Sequence, residues 1–288
     1  MLERTLVAGA GLMGHGIAQV LATTGRSVAL YEPDLERALA GRDRIAANLE
    51  RAVAKGRLSG EEGEAILGRI SAVADLAVAG DVDLVVEAVY EDVEVKTGIW
   101  SELDRLAPPP TIFATNTSSI SIDRLAAAVG PDRRERFVGM HFFSPVPVMP
   151  LIELIRGTAT TDDVEAAIRA LSAEMGKQVI VSADRPGFIV NRILMPFLAE
   201  AMRAYAEGLG TADDIDTGAR VGLNHPMGPL ELADFIGLDV CLGIMRVLHE
   251  GLGDERFAPP PILVQLVEEG RLGQKTGHGF HSYPRGGG

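Results

Sequence analysis

The sequence predicts an α/β amino-terminal domain of the Rossmann type, built on a mostly parallel sheet, followed by an all-α carboxy-terminal domain. Three observations carry this. Up to about residue 183, short β-branched or apolar runs alternate with stretches of 3.6-residue periodicity. From Gly187 onward no convincing strand pattern remains. The 288 residues are also long for one hydrophobic core and comfortable for two. The boundary is expected near Asp184–Pro186, giving domains 1–184 and 185–288, and no tandem repeat is visible.

Taken in order, "TLVAGA", "SVALYE", "DLVVEAV", "TIFATN", "RFVGMHFF" and "KQVIVSA" read as strands. Residues 34–56 read as a long polar helix, and "SGEE" at 59–62 fits a capping box that opens another. "FIVNRILMPFLAEAMRAYAEG" reads as a long buried helix with a kink at Pro196. "TADDIDTGARVG", "GPLELADFIG", "LDVCLGIMRVLHE" and "PPPILVQLVEEG" read as further helices. Thr, Pro or Asp stand near their starts and Gly near their ends. The terminal "RGGG" reads as a loose tail.

Composition removes several classes of function. Apolar residues make up 47% of the chain, too many for a disordered protein. The net charge of −13, with no basic block, speaks against a nucleic-acid partner. It also means that an anionic substrate needs locally placed cations, and the lysines are few: Lys55, Lys96, Lys177 and Lys275. The single Cys241 excludes an intrachain disulfide and a cysteine metal cluster, and its apolar setting suits a buried, inert thiol. No 18-residue apolar run would span a membrane and no signal-peptide pattern opens the chain, so the expected compartment is cytoplasmic.

The first strand runs directly into Gly9-x-Gly11-x-x-Gly14, and the helical pattern begins at the third glycine. Gly9 allows the tight turn, Gly11 lets backbone approach a pyrophosphate, and Gly14 lets helix pack on strand. Leu12 and Met13 complete the loop, whose helix end would offer N–H groups and partial positive charge to the phosphates. The second strand ends in Glu32, which can accept bonds from ribose hydroxyls and would repel a 2′-phosphate. The expected cofactor is therefore NAD rather than NADP. Strand ends recur at Glu87, ahead of Glu91 and Lys96, and at Asn116, Thr117, Ser118 and Ser119. Open α/β sheets hold ligands at such ends, although Glu91 and Lys96 would ordinarily form a solvated helix face, and capping accounts for some of the hydroxyls.

Together "GAGLMGHGIAQV", "DLVVEAVYED", "ATNTSSISI", "GMHFFSPVPVMPLIEL", "PGFIVNRIL", "NHPMGPLELADFIGLD" and "GRLGQKTGHGF" resemble the 3-hydroxyacyl-CoA dehydrogenase family, in order and across both domains. The resemblance implies a catalytic histidine–glutamate pair at His141 and Glu153. A histidine of near-neutral pKa is suited to take the hydroxyl proton, and a carboxylate on its other nitrogen fixes the tautomer. "GMHFF" and "PLIELI" read as extended stretches joined by a proline-rich turn that could bring the two together.

The resemblance further implies cofactor and substrate contacts at Glu32, Glu91, Lys96, Ser118 and Asn191, with Asn116 grouped with the cofactor. It implies a coenzyme A contact at Lys55, substrate contacts at Ser118, Ser144 and Asn191, with Ser118 and Asn191 positioning the reacting oxygen and thioester, an acyl-CoA substrate held in a cleft between the domains, and a homodimer formed through the second domain. Two positions depart from the family pattern. Ser144 stands where asparagine is common, which shortens the polar side chain beside the base, and His281 replaces an aromatic, read here as an exposed end. Two other functions stay open: oxidation of a free hydroxy or sugar acid on the same scaffold, and a non-catalytic crystallin-like relative. The β-hydroxyacid dehydrogenases, which place a lysine one turn before an asparagine, fit less well, because Gly187 holds that place before Asn191.

Overall fold

The computed structural model describes residues 2–284; Met1 and the tail 285–288, expected to be loose, lie outside the described residues. The chain divides into two compact units, Met1–Arg185 and Pro186–Gly288.

The first unit is one eight-stranded sheet. Its strands are β1 (Arg4–Ala8), β2 (Ser27–Tyr31), β3 (Ile70–Val73), β4 (Leu84–Glu87), β5 (Ile112–Thr115), β6 (Phe137–Phe142), β7 (Leu151–Arg156) and β8 (Gln178–Ala183). The order across the sheet is β3-β2-β1-β4-β5-β6-β7-β8. The chain leaves β1 toward β2 and β3, then returns to pair β4 on the other side of β1. Ligands bind outside the strand ends at such a reversal. All neighbours are parallel except β6 and β7.

Both faces of this sheet are covered, which explains why its inner strands are apolar runs rather than alternating ones. Val7, Leu30, Val86, Met140 and Leu154 share one core with Ile17 and Leu21 of α1 (Leu12–Thr23), Ile45 of α2 (Leu35–Ala54) and Ile66 of α3 (Gly60–Gly68). On the other face Trp100 of α4 (Val93–Leu106) stacks on Phe113 at 4.9 Å and meets the edge of Phe137 at 4.8 Å. Ile122 of α5 (Ile122–Ala126) is buried there against Gly139 of β6. Two short connections follow the same logic: α6 (Pro131–Arg134) leads into β6, and α7 (Asp162–Glu174) crosses back to β8.

Helix α2 ends within two residues of the expected span, and the Ser59–Glu62 capping box is formed at both hydrogen bonds. Two expectations are corrected. Strand β3 was not among the strands read from the sequence: it is a four-residue sheet edge that buries only Ile70 completely, so "ISAV" carries little pattern. Helix α1 opens at Leu12 rather than Gly14, because Gly11 already has the extended geometry of an N-cap.

The second unit is helical. It comprises α8 (Val190–Ala206), α9 (Ala212–Thr217) continued by one wide turn at 218–222, α10 (Pro229–Ile236), α11 (Leu238–Leu252) and α12 (Pro261–Glu268). Its own core joins Met195, Leu198, Met202, Leu230, Cys241, Met245, Leu248, Leu263 and Leu266. Helix α8 continues through Pro196, and it is amphipathic rather than wholly buried: Ile193 is exposed. No helix is long and apolar enough to cross a membrane among the described residues.

Buried carboxylates tie the last segment down. Asp216 accepts the backbone N–H groups of Leu230 and Glu231 at 2.8 and 2.9 Å, while Asp234 accepts those of Phe280 and His281 at 3.0 and 2.9 Å. His281, expected to be an exposed end, is instead held by Asp216 through Nε2 at 2.7 Å. The sequence could not place this bond, since its partners lie 65 residues apart.

Candidate active site

The glycine loop has the shape that its spacing demands. Gly9 has φ +105°, a region closed to side chains, and a Cβ there would lie 2.4 Å from the Ala88 carbonyl oxygen. A Cβ on Gly14 would lie 1.7 Å from the Gly9 carbonyl oxygen, so loop and helix touch backbone to backbone. Gly11 is different: nothing lies within 4 Å of where its Cβ would be. That opening stands at the start of α1, where no side chain caps the helix. Leu12 is exposed and Met13 half-buried. Glu32, just past β2, accepts the Ala10 N–H at 2.9 Å through Oε1, so the acid at this strand end anchors the loop. Bare helix end, cradle and acid fit the adenosine and pyrophosphate of a dinucleotide.

At the end of β4 the structure brings together more than was expected. Glu87 is fully buried. Its Oε1 accepts Lys96 Nζ at 2.5 Å and the Val89 N–H at 2.8 Å, and its Oε2 accepts the Thr115 hydroxyl at 2.6 Å. Lys96 is buried as well and also meets Glu91 at 3.1 Å. The expectation of a solvated helix face fails for Lys96: α4 turns it inward because two carboxylates wait there. Glu91, 38% exposed, gathers the hydroxyls of Thr117, Ser118 and Ser119 at 2.6, 3.3 and 3.2 Å and the Ser118 N–H at 2.8 Å. Burial alone would raise its pKa. The Lys96 charge and the bonds from Thr117 and Ser118 outweigh that and hold the carboxyl below its usual range.

Asn116 accepts the Phe142 N–H at 2.8 Å, continuing the β5–β6 ladder past its last backbone pair, Thr115 with Gly139. This steadies the end of β6, where His141 stands. Glu87, Thr115, Gly139 and Ile155 form one row across the sheet, and His141 lies two residues beyond it on the same face.

His141 and Glu153 are direct cross-strand partners in the antiparallel β6–β7 pair. Nδ1 of the histidine lies 3.0 Å from Oε2 of the glutamate, with the histidine 6% exposed and the glutamate fully buried. The Phe143 ring lies 4.6 Å from the imidazole. Ser144 is exposed at the start of the proline-rich turn, before a cis peptide to Pro145. In the same unit, Lys55 is exposed at the end of α2. In the second unit, Asn191 is buried in the first turn of α8.

Cys241 is buried and its thiol pushed up to about 12, chiefly by burial, so it is inert. His15 Nδ1 lies 2.7 Å from the Gly11 carbonyl, and His249 Nε2 lies 3.2 Å from Glu255. His225 lies in a loop, its ring 5.2 Å from that of Phe197. The sequence marks Glu87 only as a strand end and does not show that it is the buried partner of Lys96 and Thr115; the signal was an acid closing an otherwise apolar strand.

A bare helix end that excludes side chains, with an acid closing the second strand, marks an NAD-binding α/β dehydrogenase. Comparison with known proteins narrows that class. Residues 4–185 match the NAD binding domain of 3-hydroxyacyl-CoA dehydrogenase and residues 187–283 match its C-terminal domain. The chain belongs to the 3-hydroxyacyl-CoA dehydrogenase family. It is 50% identical over 283 residues to the 3-hydroxybutyryl-CoA dehydrogenase of Bradyrhizobium diazoefficiens, covering 98% of this chain and 96% of the relative. The crystal structure of (S)-3-hydroxybutyryl-CoA dehydrogenase PaaH1 from Ralstonia eutropha superposes with a TM-score of 0.95 at 40% identity, covering 99% of this chain and 100% of that one. That of Mycobacterium tuberculosis FadB2 does so with a TM-score of 0.95 at 43% identity, covering 98% and 99%. The protein is an oxidoreductase that interconverts 3-hydroxyacyl-CoA and 3-oxoacyl-CoA with NAD.

Proposed function

We propose that the chain works on short acyl groups, with (S)-3-hydroxybutyryl-CoA and acetoacetyl-CoA as its substrate pair, and that His141 and Glu153 are its acid–base couple. The observation that carries this is the 3.0 Å contact between His141 Nδ1 and Glu153 across β6–β7. The substrate length follows the relatives named for the four-carbon compound.

When bound, NAD takes up the hydride in oxidation, and NADH returns it in reduction. The protein's own residues handle the proton. With Nδ1–H donated to Glu153, the imidazole carries its basic lone pair on Nε2, which takes the hydroxyl proton in oxidation and gives it back in reduction. Glu153, excluded from water, keeps the ring oriented and stabilises the imidazolium formed during the step. Ser118 positions the reacting oxygen as a donor: its hydroxyl, held by Glu91 only at 3.3 Å, turns to the ligand oxygen whose own proton goes to His141. Asn191 completes substrate positioning. Glu32 holds the adenosine ribose, the Gly9–Gly14 loop holds the pyrophosphate, and Lys96 acts on the cofactor through Glu91. Lys55 offers a cation to the phosphates of coenzyme A on a chain of net charge −13. The dehydrogenase works in the cytoplasm as a homodimer. The apolar residues exposed on the second unit, Ile193, Val221, Leu223 and Phe235 among them, support burial against a second copy.

NADH consumption across a series of 3-oxoacyl-CoA lengths tests the reading. The highest kcat/KM is expected with acetoacetyl-CoA; a maximum at long chains overturns the substrate assignment. Light scattering of a stable monomer overturns the dimer.

A further inference from the structure

The turn between β6 and β7, residues 143–150, is poor in hydrogen-bond donors. Pro145, Pro147 and Pro150 have no N–H. Two of the N–H groups it does have, on Val148 and Met149, are both spent on the Pro145 carbonyl, at 2.9 and 3.0 Å. The turn is nevertheless packed inward. Val146 belongs to the sheet core and sits on α1, so close that a Cβ on Gly16 would lie 2.8 Å from the Val146 Cβ. Carbonyls carried inward with it need donors from elsewhere.

Lys177 supplies them. It stands one residue before β8, is 8% exposed, and its Nζ reaches the carbonyls of Val146 at 2.5 Å and Met149 at 2.6 Å. The next residue extends the seam, with the Gln178 N–H bonded to the Pro150 carbonyl at 2.7 Å. Among the described residues no carboxylate lies within ion-pairing distance of Lys177. Burial pushes its ammonium below the ordinary lysine range. A cation kept indoors without an anion is costly, and what it provides there is a set of three N–H donors on a long stem.

We propose that Lys177 is a positioning residue for the acid–base pair: its ammonium closes the β6–β7 turn and so fixes where Phe143 and Ser144 stand beside His141. This rests on His141 and Glu153 being the acid–base couple. Among the described residues no hydrogen bond joins the glycine loop to this seam, and its contact with α1 is the apolar packing of Val146 on Gly16, so the two halves of the reaction are expected to respond differently to its loss.

The test compares Lys177→Met, Lys177→Gln and Lys177→Arg with the unaltered enzyme and with His141→Gln. It measures kcat and KM for acetoacetyl-CoA, Kd for NADH, and Tm. Lys177→Met is expected to lower kcat/KM for acetoacetyl-CoA about ten- to a hundredfold while NADH affinity holds within about twofold. Lys177→Gln, which keeps two donors on a shorter stem, should fall between, and Lys177→Arg should recover most of the loss. If Lys177→Met does not fold, the Lys177→Gln kinetics decide in its place. A lowered Tm with kcat and KM per NADH-binding site unchanged means that the lysine is structural only and overturns the proposal. Full activity in His141→Gln would sink the acid–base reading itself, whereas an inactive His141→Gln beside unchanged lysine variants would sink only the positioning role.

Discussion

Two regions of the same sheet hold the chemistry in different ways. On the cofactor side, at the ends of β1, β2 and β4, the decisive feature is backbone: Gly9 and Gly14 leave no room for a Cβ, and Gly11 leaves space open. On the side proposed for acid–base work, at β6 and β7, the decisive feature is pairing: His141 faces Glu153 because the two strands run in opposite directions in one register. The first region shapes a surface for a ligand, and the second fixes two side chains against each other. Damage should therefore separate, into lost cofactor affinity on one side and lost turnover on the other.

The sharpest way to break this separation is at the pair. His141→Gln or Glu153→Gln is expected to cut turnover about a hundred- to ten-thousandfold with the Kd for NADH nearly unchanged by fluorescence titration; a parallel loss of NADH affinity would show that the regions are one. Next in size is Gly14→Ala. Its methyl group must displace the Gly9 carbonyl, and NADH affinity should fall about ten- to a hundredfold by calorimetry. Glu32→Ala should weaken NADH on the order of tenfold and narrow the preference over NADPH; comparable turnover with both cofactors in the unaltered enzyme would remove the acid from the argument.

The smallest effect concerns pH. The Glu91 carboxyl is held below its ordinary value in the folded chain, by the Lys96 charge and the bonds from Thr117 and Ser118 against the effect of burial. Its contribution to stability is therefore present above that value and is lost as pH falls through the lowered folded value. Glu91→Gln should be less stable than the unaltered protein at neutral pH, and the gap should close with acidification, as read by unfolding midpoints. A gap constant with pH would detach Glu91 from the Lys96 charge.

Much of this was legible in the sequence, for a physical reason. The glycine spacing, Glu32 at the end of "SVALYE" and the extended stretches around His141 are local signals, each written within one strand and its adjoining loop. What was hidden depends on distant partners. Lys96 reads as a solvated helix residue until Glu87 is known to lie buried beneath it. His281 reads as an exposed end until Asp216 is placed against it. Lys177 has nothing beside it in sequence to betray two carbonyls some thirty residues upstream. The β3 edge was missed because a strand with one neighbour and four residues needs little apolar pattern to form.

The direct facing of His141 and Glu153 has one more consequence, for how this chain can change over time. Side chains alternate between the faces of a sheet, so a one-residue insertion or deletion between positions 143 and 150 would leave Ile152 or Leu154 beside the histidine and send the carboxylate to the far side. Composition in that segment is free of this constraint. Its length is not, and the number of residues in the turn is itself an inherited part of the active site.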